Sequence, residues 1–273
     1  MKTVAGTDLF PVGIGTWLMG GDWDNAARCA TTDVSNDDQE VRAIRYSLDI
    51  GQNHIDTAEM YGAGHTDEIV GKAIQSYSRD CIFIADKLWK NSFGKHETHK
   101  AIERMLRSLG TDYIDLLYIH STFDGSEWER ALEPINTFID EGVVRFFGVS
   151  NFSIADMDRA AKLSSHPIAA NQMLYNCGYK EEVTPEFKQY CSTNQIEIVA
   201  YTPVGRGELL TNAVVQSVAR KHGVTTAQVA LAWLIARNAL PIPKSSQKTH
   251  IDENFAAIKI HLDVEDLAQL DAL

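Results

Sequence analysis

The sequence predicts a (β/α)8 TIM barrel in the α/β class, as one domain over residues 1–273, with a short N-terminal β-hairpin and an extra C-terminal helix. Three observations carry that expectation. Short β-rich runs alternate with helix-period runs almost from end to end, and such alternation implies a parallel sheet with helical crossovers. Eight such units fit in about 250 residues, the size of this barrel. The rival, a doubly wound open sheet, should carry GxGxxG after its first strand. Gly13, Gly15, Gly20 and Gly21 do not fit that spacing.

The elements follow in order. Residues 12–16 read as the first strand, ahead of a polar loop over 18–38 that contains Trp23 and five Asp residues. Ser35 and Asp38 offer a capping box to a helix marked by Val41, Ile44 and Leu48, and Gly51 ends it. A brief strand at 54–56 leads into a glycine-flanked loop and a short helix near 67–74. Strand three is 81–87, and Ile102, Met105, Leu106 and Leu109 mark one face of the next helix. Strands at 114–120 and 143–149 flank a helix around 126–141. A helix near 154–163, strand 169–173, a helix around 185–193 and strand 196–201 continue the pattern. Helices at about 213–222 and 225–237 precede the last short strand, 240–243, and terminal helices follow at about 250–258 and 264–272.

Composition narrows the function classes. Hydrophobic residues make up 44% and charged residues 23%, the balance of a soluble globular protein. A net charge of −12, spread along the chain, argues against nucleic acid or an anionic membrane as partner. Cys29, Cys81, Cys177 and Cys191 form no CxxC pair, which excludes a disulfide scaffold or zinc ribbon and suits a reducing cytosol. The N-terminus lacks a signal peptide's apolar core, and no run approaches the roughly 20 apolar residues of a membrane span. A cytoplasmic protein is expected. His54, Asp56 and His65 lie close in sequence without HExxH or a facial triad, so no metal site is expected. Neither a P-loop nor a GxSxG elbow is present.

Barrel enzymes place their chemistry at the C-terminal ends of strands and in the loops that follow. Asp56 closes the second strand and Tyr61 lies in its loop; Lys87 closes the third and His120 the fourth. Each has an ordinary alternative: a packed loop tyrosine, a lysine leading out to solvent, a hydrogen-bonded structural histidine. Four together on consecutive strand ends point to a site. A free phenol has a pKa of about 10, and a nearby ammonium should lower it. Asp56 can pair with Lys87 and hold that ammonium in place. The phenol could then exchange a proton near neutral pH while His120 donates a hydrogen bond to a substrate oxygen. That set suits protonation of a carbonyl oxygen as it becomes an alcohol.

GIGTW (13–17), HIDTAEMYG (54–62), KLW (87–89), GVSNF (148–152), AYTPVGRG (200–207) and IPKSS (242–246) occur in order along the chain. Together they resemble the aldo-keto reductase family over essentially its whole length. The resemblance implies NAD(P)H-dependent reduction of aldehydes or ketones, with Asp56, Tyr61, Lys87 and His120 as catalytic tetrad and Tyr61 as proton donor. It also implies a monomer and a small carbonyl substrate. By the same resemblance Ser150, Asn151 and Gln172 bind the nicotinamide carboxamide and Tyr201 stacks on its ring. Gly15, Thr16 and Trp17 line the junction of cofactor and substrate, near Asp56. Thr202, Val204 and Gly205 flank the pyrophosphate. Lys244, Ser245 and Ser246 engage a 2′-phosphate, with Glu253 and Asn254 on the adenine.

Departures from the family pattern qualify this. His250 stands where the family usually has Arg, which would grip a 2′-phosphate at any working pH. NADPH is preferred, because Lys244 and Ser245 match and Lys248 is near; NADH is the alternative. Ser121 replaces a Trp common after the catalytic His, and the chain stops at Leu273 without a long C-terminal loop. Trp17 or Trp23 is expected to replace that missing wall, giving a substrate pocket of Trp17, Trp23, Tyr61, Trp89 and His120. Trp89 is read as packing near Lys87, and Trp233 as helix core. An alternative function is a cofactor-binding, redox-sensing regulatory subunit with little turnover.

Overall fold

The computed structural model describes residues 2–24, 29–122 and 127–273, with the backbone alone at 23 and 24. Strands β1 (Lys2–Val4) and β2 (Thr7–Leu9) pair antiparallel across Ala5 and Gly6, whose φ angles of 46° and 84° supply the left-handed turn a tight hairpin needs. After β3 (Ile14–Gly15), a ribbon of β4 (Trp23–Asp24) and β5 (Cys29–Ala30) rises within the stretch read as a polar loop.

The alternation then runs as expected. Helix α1 (Asp37–Asp49) precedes β6 (His54–Asp56), α2 (His65–Ile74) precedes β7 (Phe83–Leu88), and α3 (Lys95–Leu109) precedes β8 (Ile114–Ile119). A 3-10 turn at Trp128–Ala131 and α4 (Leu132–Asp140) lead to β9 (Val144–Ser150), α5 (Ile154–Leu163) to β10 (Ile168–Leu174), and α6 (Pro185–Thr193) to β11 (Glu197–Tyr201). The expected start of that fourth helix, Ser126, lies outside the described residues. A short α7 (Glu208–Thr211), absent from the sequence reading, precedes α8 (Ala213–His222) and α9 (Thr226–Ala236). Then come β12 (Leu240–Pro241), α10 (Lys248–Ala256) and α11 (Val264–Asp271). No helix among the described residues is long and apolar enough to cross a membrane.

Eight strands pair in parallel in the order β3, β6, β7, β8, β9, β10, β11, β12. The ring closes where Gly13 N–H donates to Pro241 O at 2.9 Å, Gly15 N–H donates to Pro243 O at 3.0 Å, and Gly15 bridges Lys244 in parallel. A Cβ on Gly15 would sit 2.4 Å from Ile242 O, so only glycine lets the seam close. Inside the ring, Phe83, Ala85, Leu116, Tyr118, Val199 and Leu240 pack together. Val4 and Leu9 of the hairpin join that inner core, while Lys2 Nζ donates to Glu197 Oε1 at 2.8 Å, where β11 begins. The hairpin therefore plugs the end at which the strands start, leaving the opposite mouth for chemistry. A second, larger core lies between sheet and helices and takes Ile84 and Leu88 from the other face of β7.

The proposed capping box does not form. Asn36 is the N-cap of α1 and makes no side-chain cap bond. The acids there have other partners: Asp37 accepts from His65 and Lys72, and Glu40 Oε2 accepts Gly20 N–H at 2.8 Å. Their charge still complements the helix N-terminus. Trp233 is buried in α9 as expected, its Nε1 donating to Asp271 Oδ1 at 2.9 Å.

Candidate active site

Alternation along β7 decides where its charged residues go: residues 83, 85 and 87 face the barrel interior, whereas 84, 86 and 88 face the helices. Lys87 thus enters the mouth, fully buried. Its Nζ donates to Asp56 Oδ1 at 2.5 Å, to Thr57 O at 2.7 Å and to Tyr61 Oη at 3.3 Å. Three acceptors for three ammonium protons leave Lys87 no rotational freedom. Asp56 is held from its other side by Gln172 Nε2 at 2.6 Å, and its carbonyl accepts Thr16 Oγ1–H at 2.9 Å.

Burial works against the Lys87 ammonium, yet Asp56 and Tyr61 hold its pKa above the ordinary lysine value. The expected lowering of the Tyr61 pKa is not found. Burial pushes the phenol up, and Lys87 only partly draws it back against Asp56 and Asp86. The motif displays the cation but not the depth at which the phenol sits. A phenol held protonated suits a donor; Lys87 then stabilises the phenolate left behind. His120 follows β8, and burial, reinforced by Lys87, holds its imidazole neutral, well below the usual range. One ring nitrogen, Nδ1, is buried with no hydrogen-bond partner.

Four rings shape the mouth. Trp17 meets Tyr61 edge-on with centroids 4.8 Å apart, Tyr61 lies 5.9 Å from His120, and Trp89 lies 5.0 Å from His120. The Trp23 side chain lies outside the described residues. On the next strands, Tyr201 Oη donates to Asn151 Oδ1 at 2.9 Å, Asn151 Nδ2 donates to Ser150 Oγ at 3.1 Å, and Ser150 Oγ donates to Gln172 O at 2.9 Å. Asn151 and Thr202 hold φ of 56° and 54°, left-handed values uncommon off glycine and typical of ligand clamps. Val204 and Gly205 lie in the turn just beyond them.

Farther along, Lys244, Ser245, Ser246 and His250 line a cavity of about 390 Å³ together with Glu40 and Gln39. Glu253 and Asn254 do not line it. The Glu253 carbonyl accepts from Gln228 Nε2 at 3.1 Å, and Asn254 is buried. Lys248 is committed elsewhere, to Asp252 Oδ2 at 2.7 Å and Tyr46 Oη at 2.6 Å, so it does not support an NADPH preference as expected. Its surroundings disfavour the Lys244 charge, and Glu40 partly restores it.

A model of the aldo/keto reductase family matches residues 11–273. The chain belongs to the aldo/keto reductase family. Methylglyoxal reductase YeaE of Escherichia coli K12 is 34% identical over 268 residues, covering 95% of this chain and 89% of that protein. Glyoxal reductase of Bacillus subtilis is 31% identical, covering 88% and 85%. Among solved structures, a thermostable aldo-keto reductase crystallised with epalrestat superposes with a TM-score of 0.92 at 33% identity, covering 99% and 98%. An aldo-keto reductase from Klebsiella pneumoniae in complex with NADPH gives 0.88 at 33%, covering 99% and 94%. As an aldo-keto reductase the chain is an oxidoreductase, and the regulatory alternative finds no support among these relatives.

The structure also brings in residues the sequence reading missed. Thr57 supplies a carbonyl to Lys87, and Gln172, assigned to the carboxamide, also anchors Asp56. Behind them lie two buried acids, Asp67 and Asp86, and the half-buried Glu59. An acid at an outward position of β7, between Ile84 and Leu88, is the signal that could have found them.

Proposed function

We propose that this aldo-keto reductase reduces small aldehydes and ketones, α-oxoaldehydes among them, to alcohols, with NADPH as hydride donor and Tyr61 as proton donor. The observation that carries this is the buried Lys87, gripped by Asp56 and Thr57 while it touches the Tyr61 hydroxyl. The α-oxoaldehydes follow from the methylglyoxal- and glyoxal-reducing relatives. The working unit is one domain, 1–273, acting as a monomer in a reducing cytosol where its four cysteines stay free.

The residues fit a phosphate-bearing nicotinamide nucleotide. Ser246 Oγ is buried without a partner, and α10 begins without a side-chain cap, leaving first-turn amides for an anion. Ser150, Asn151 and Gln172 would hold the carboxamide, Tyr201 the ring face, with Gly15, Thr16 and Trp17 beside it. Thr202, Val204 and Gly205 would border the pyrophosphate, and Lys244, Ser245, Ser246 and His250 the 2′-phosphate. When bound, the cofactor supplies hydride to the carbonyl carbon.

The chain's own groups do the rest. Neutral His120 donates a hydrogen bond that orients the carbonyl oxygen. Tyr61 Oη passes its proton to that oxygen as the carbon gains hydride. Lys87 meets the phenolate with a charge already in place, so little reorganises at the moment of reaction. The test is NADPH oxidation with methylglyoxal and a panel of aldehydes. Tyr61→Phe should keep cofactor affinity and lose about 10²–10⁴-fold in turnover. Near-normal turnover in that variant would overturn the mechanism.

A further inference from the structure

Lys87 and Asp86 leave β7 on opposite faces. Lys87 enters the site; Asp86, fully buried, points into the layer between sheet and helices. Its Oδ1 accepts Lys87 N–H at 2.7 Å, while its Oδ2 has no hydrogen-bond partner. Across that layer, on α2, Asp67 is 2% exposed and accepts Thr57 Oγ1–H at 2.7 Å. The carbonyl of the same Thr57 accepts from Lys87 Nζ at 2.7 Å. Both carboxyls are buried, and the apolar core between sheet and helices takes Ile69 from α2 and Ile84 and Leu88 from β7.

Two ionised carboxylates buried together without a cation between them would lose their hydration uncompensated, so such a pair retains a proton. Burial first, then the Asp67 charge, keeps Asp86 protonated well above the usual carboxylate range. Burial raises Asp67 to about 7 against its bond from Thr57. The pair therefore keeps one proton across neutral pH and exchanges a second near pH 7, as coupled sites do. Exchange has its own route: Asp67 lines a cavity of about 780 Å³ beside α3, together with Glu59, His65, Glu68 and Arg104.

We propose that Asp67 and Asp86 are positioning residues for Lys87, a proton-sharing pair whose charge sets how strongly the ammonium draws on the Tyr61 phenol. The proposal rests on the role of Tyr61 given above. Other charges facing the pair are engaged. Glu59 accepts from Trp89 N–H at 2.6 Å and Arg104 at 3.0 Å, Glu68 pairs with His65 at 3.0 Å, and Asp56 holds Lys87 at 2.5 Å. Negative charge behind Lys87 opposes its pull on the phenol. Below pH 7 the pair is neutral and Lys87 acts undiminished; above it one anion holds the phenol proton more tightly. Alcohol oxidation, which needs the phenolate as base, is then displaced to higher pH.

The test is Asp67→Asn in the full chain, which removes the exchanging proton and keeps the shape. In wild type, protonated-carboxyl infrared absorption should fall between about pH 6 and pH 8, and the variant should lack that fall. The rising limb of kcat for alcohol oxidation should move down by about one pH unit in the variant. An identical infrared fall in the variant, an unmoved limb, or an equal displacement by Glu59→Gln would overturn the proposal. Asp86→Asn supplies a second variant, expected to lose absorption that persists at pH 8 in wild type. The infrared reading does not depend on turnover. Absent turnover would therefore count against the proposed reaction, whereas normal turnover with unchanged absorption counts against the pair alone.

Discussion

The two ends of the site are built in different ways. At the catalytic end, Asp56, Lys87 and Gln172 lie on strands, and all are buried and cross-linked by bonds of 2.5 and 2.6 Å. At the nucleotide end, Lys244 and His250 are exposed on a loop and the first turn of α10. The charged neighbours there are mixed in sign, with Glu40 beside Lys244 and Asp252 holding Lys248. Strand geometry fixes the position of the proton donor, whereas loop charges set the choice of nucleotide. The chemistry is therefore rigidly specified, and the coenzyme preference is open to single substitutions.

That contrast can be broken most severely at Lys87. Lys87→Met would leave Asp56 buried without its cation and should cost about 3–5 kcal/mol of stability, read by denaturant unfolding. A loss under about 1 kcal/mol would mean the catalytic end is not held by this pair. Next is His54, inside the barrel on the same strand as Asp56, where burial pushes its pKa from 6.5 down to about 4. The folded state disfavours protonation, so its contribution is complete above pH 6.5 and lost as pH falls towards 4. The loss is about 3 kcal/mol. His54→Gln should flatten that acid limb, and an unaltered slope between pH 7 and 4.5 would refute it.

Smaller effects belong to the nucleotide end. His250→Arg should raise the NADPH-to-NADH affinity ratio about tenfold, the worth of one charge-assisted phosphate contact. Fluorescence titration with both nucleotides measures it, and an unchanged ratio would remove His250 from the phosphate site. Glu40→Gln keeps the acceptor for Gly20 N–H but removes the charge beside Lys244, and should raise the same ratio about threefold.

Legibility in the sequence follows the same division. The barrel, its closing hairpin and the convergence of Asp56, Tyr61, Lys87 and His120 could be read because strand periodicity and strand-end position are local properties. Residues whose role depends on a partner distant in sequence could not be read so well. The capping box expected of Ser35 and Asp38 fails because the helix starts one residue later, with Asn36 as its N-cap, and Ser35 Oγ accepts from Asn36 Nδ2 instead. Lys248 looked available for phosphate until Tyr46, 202 residues away, took it. The phenol pKa moves opposite to the direction the motif suggests, since burial is a sum over the whole fold.

The glycine seam has a consequence for how the molecule is made. Residues 13–15 leave the ribosome well before residues 241–244, the chain that completes their sheet edge. At about 5–20 residues per second that partner arrives about 10–50 s later. Throughout translation the nascent sheet has an open flank. β3 contributes only Ile14 and Gly15 to that flank, and an edge so short gives a second nascent chain little to pair with.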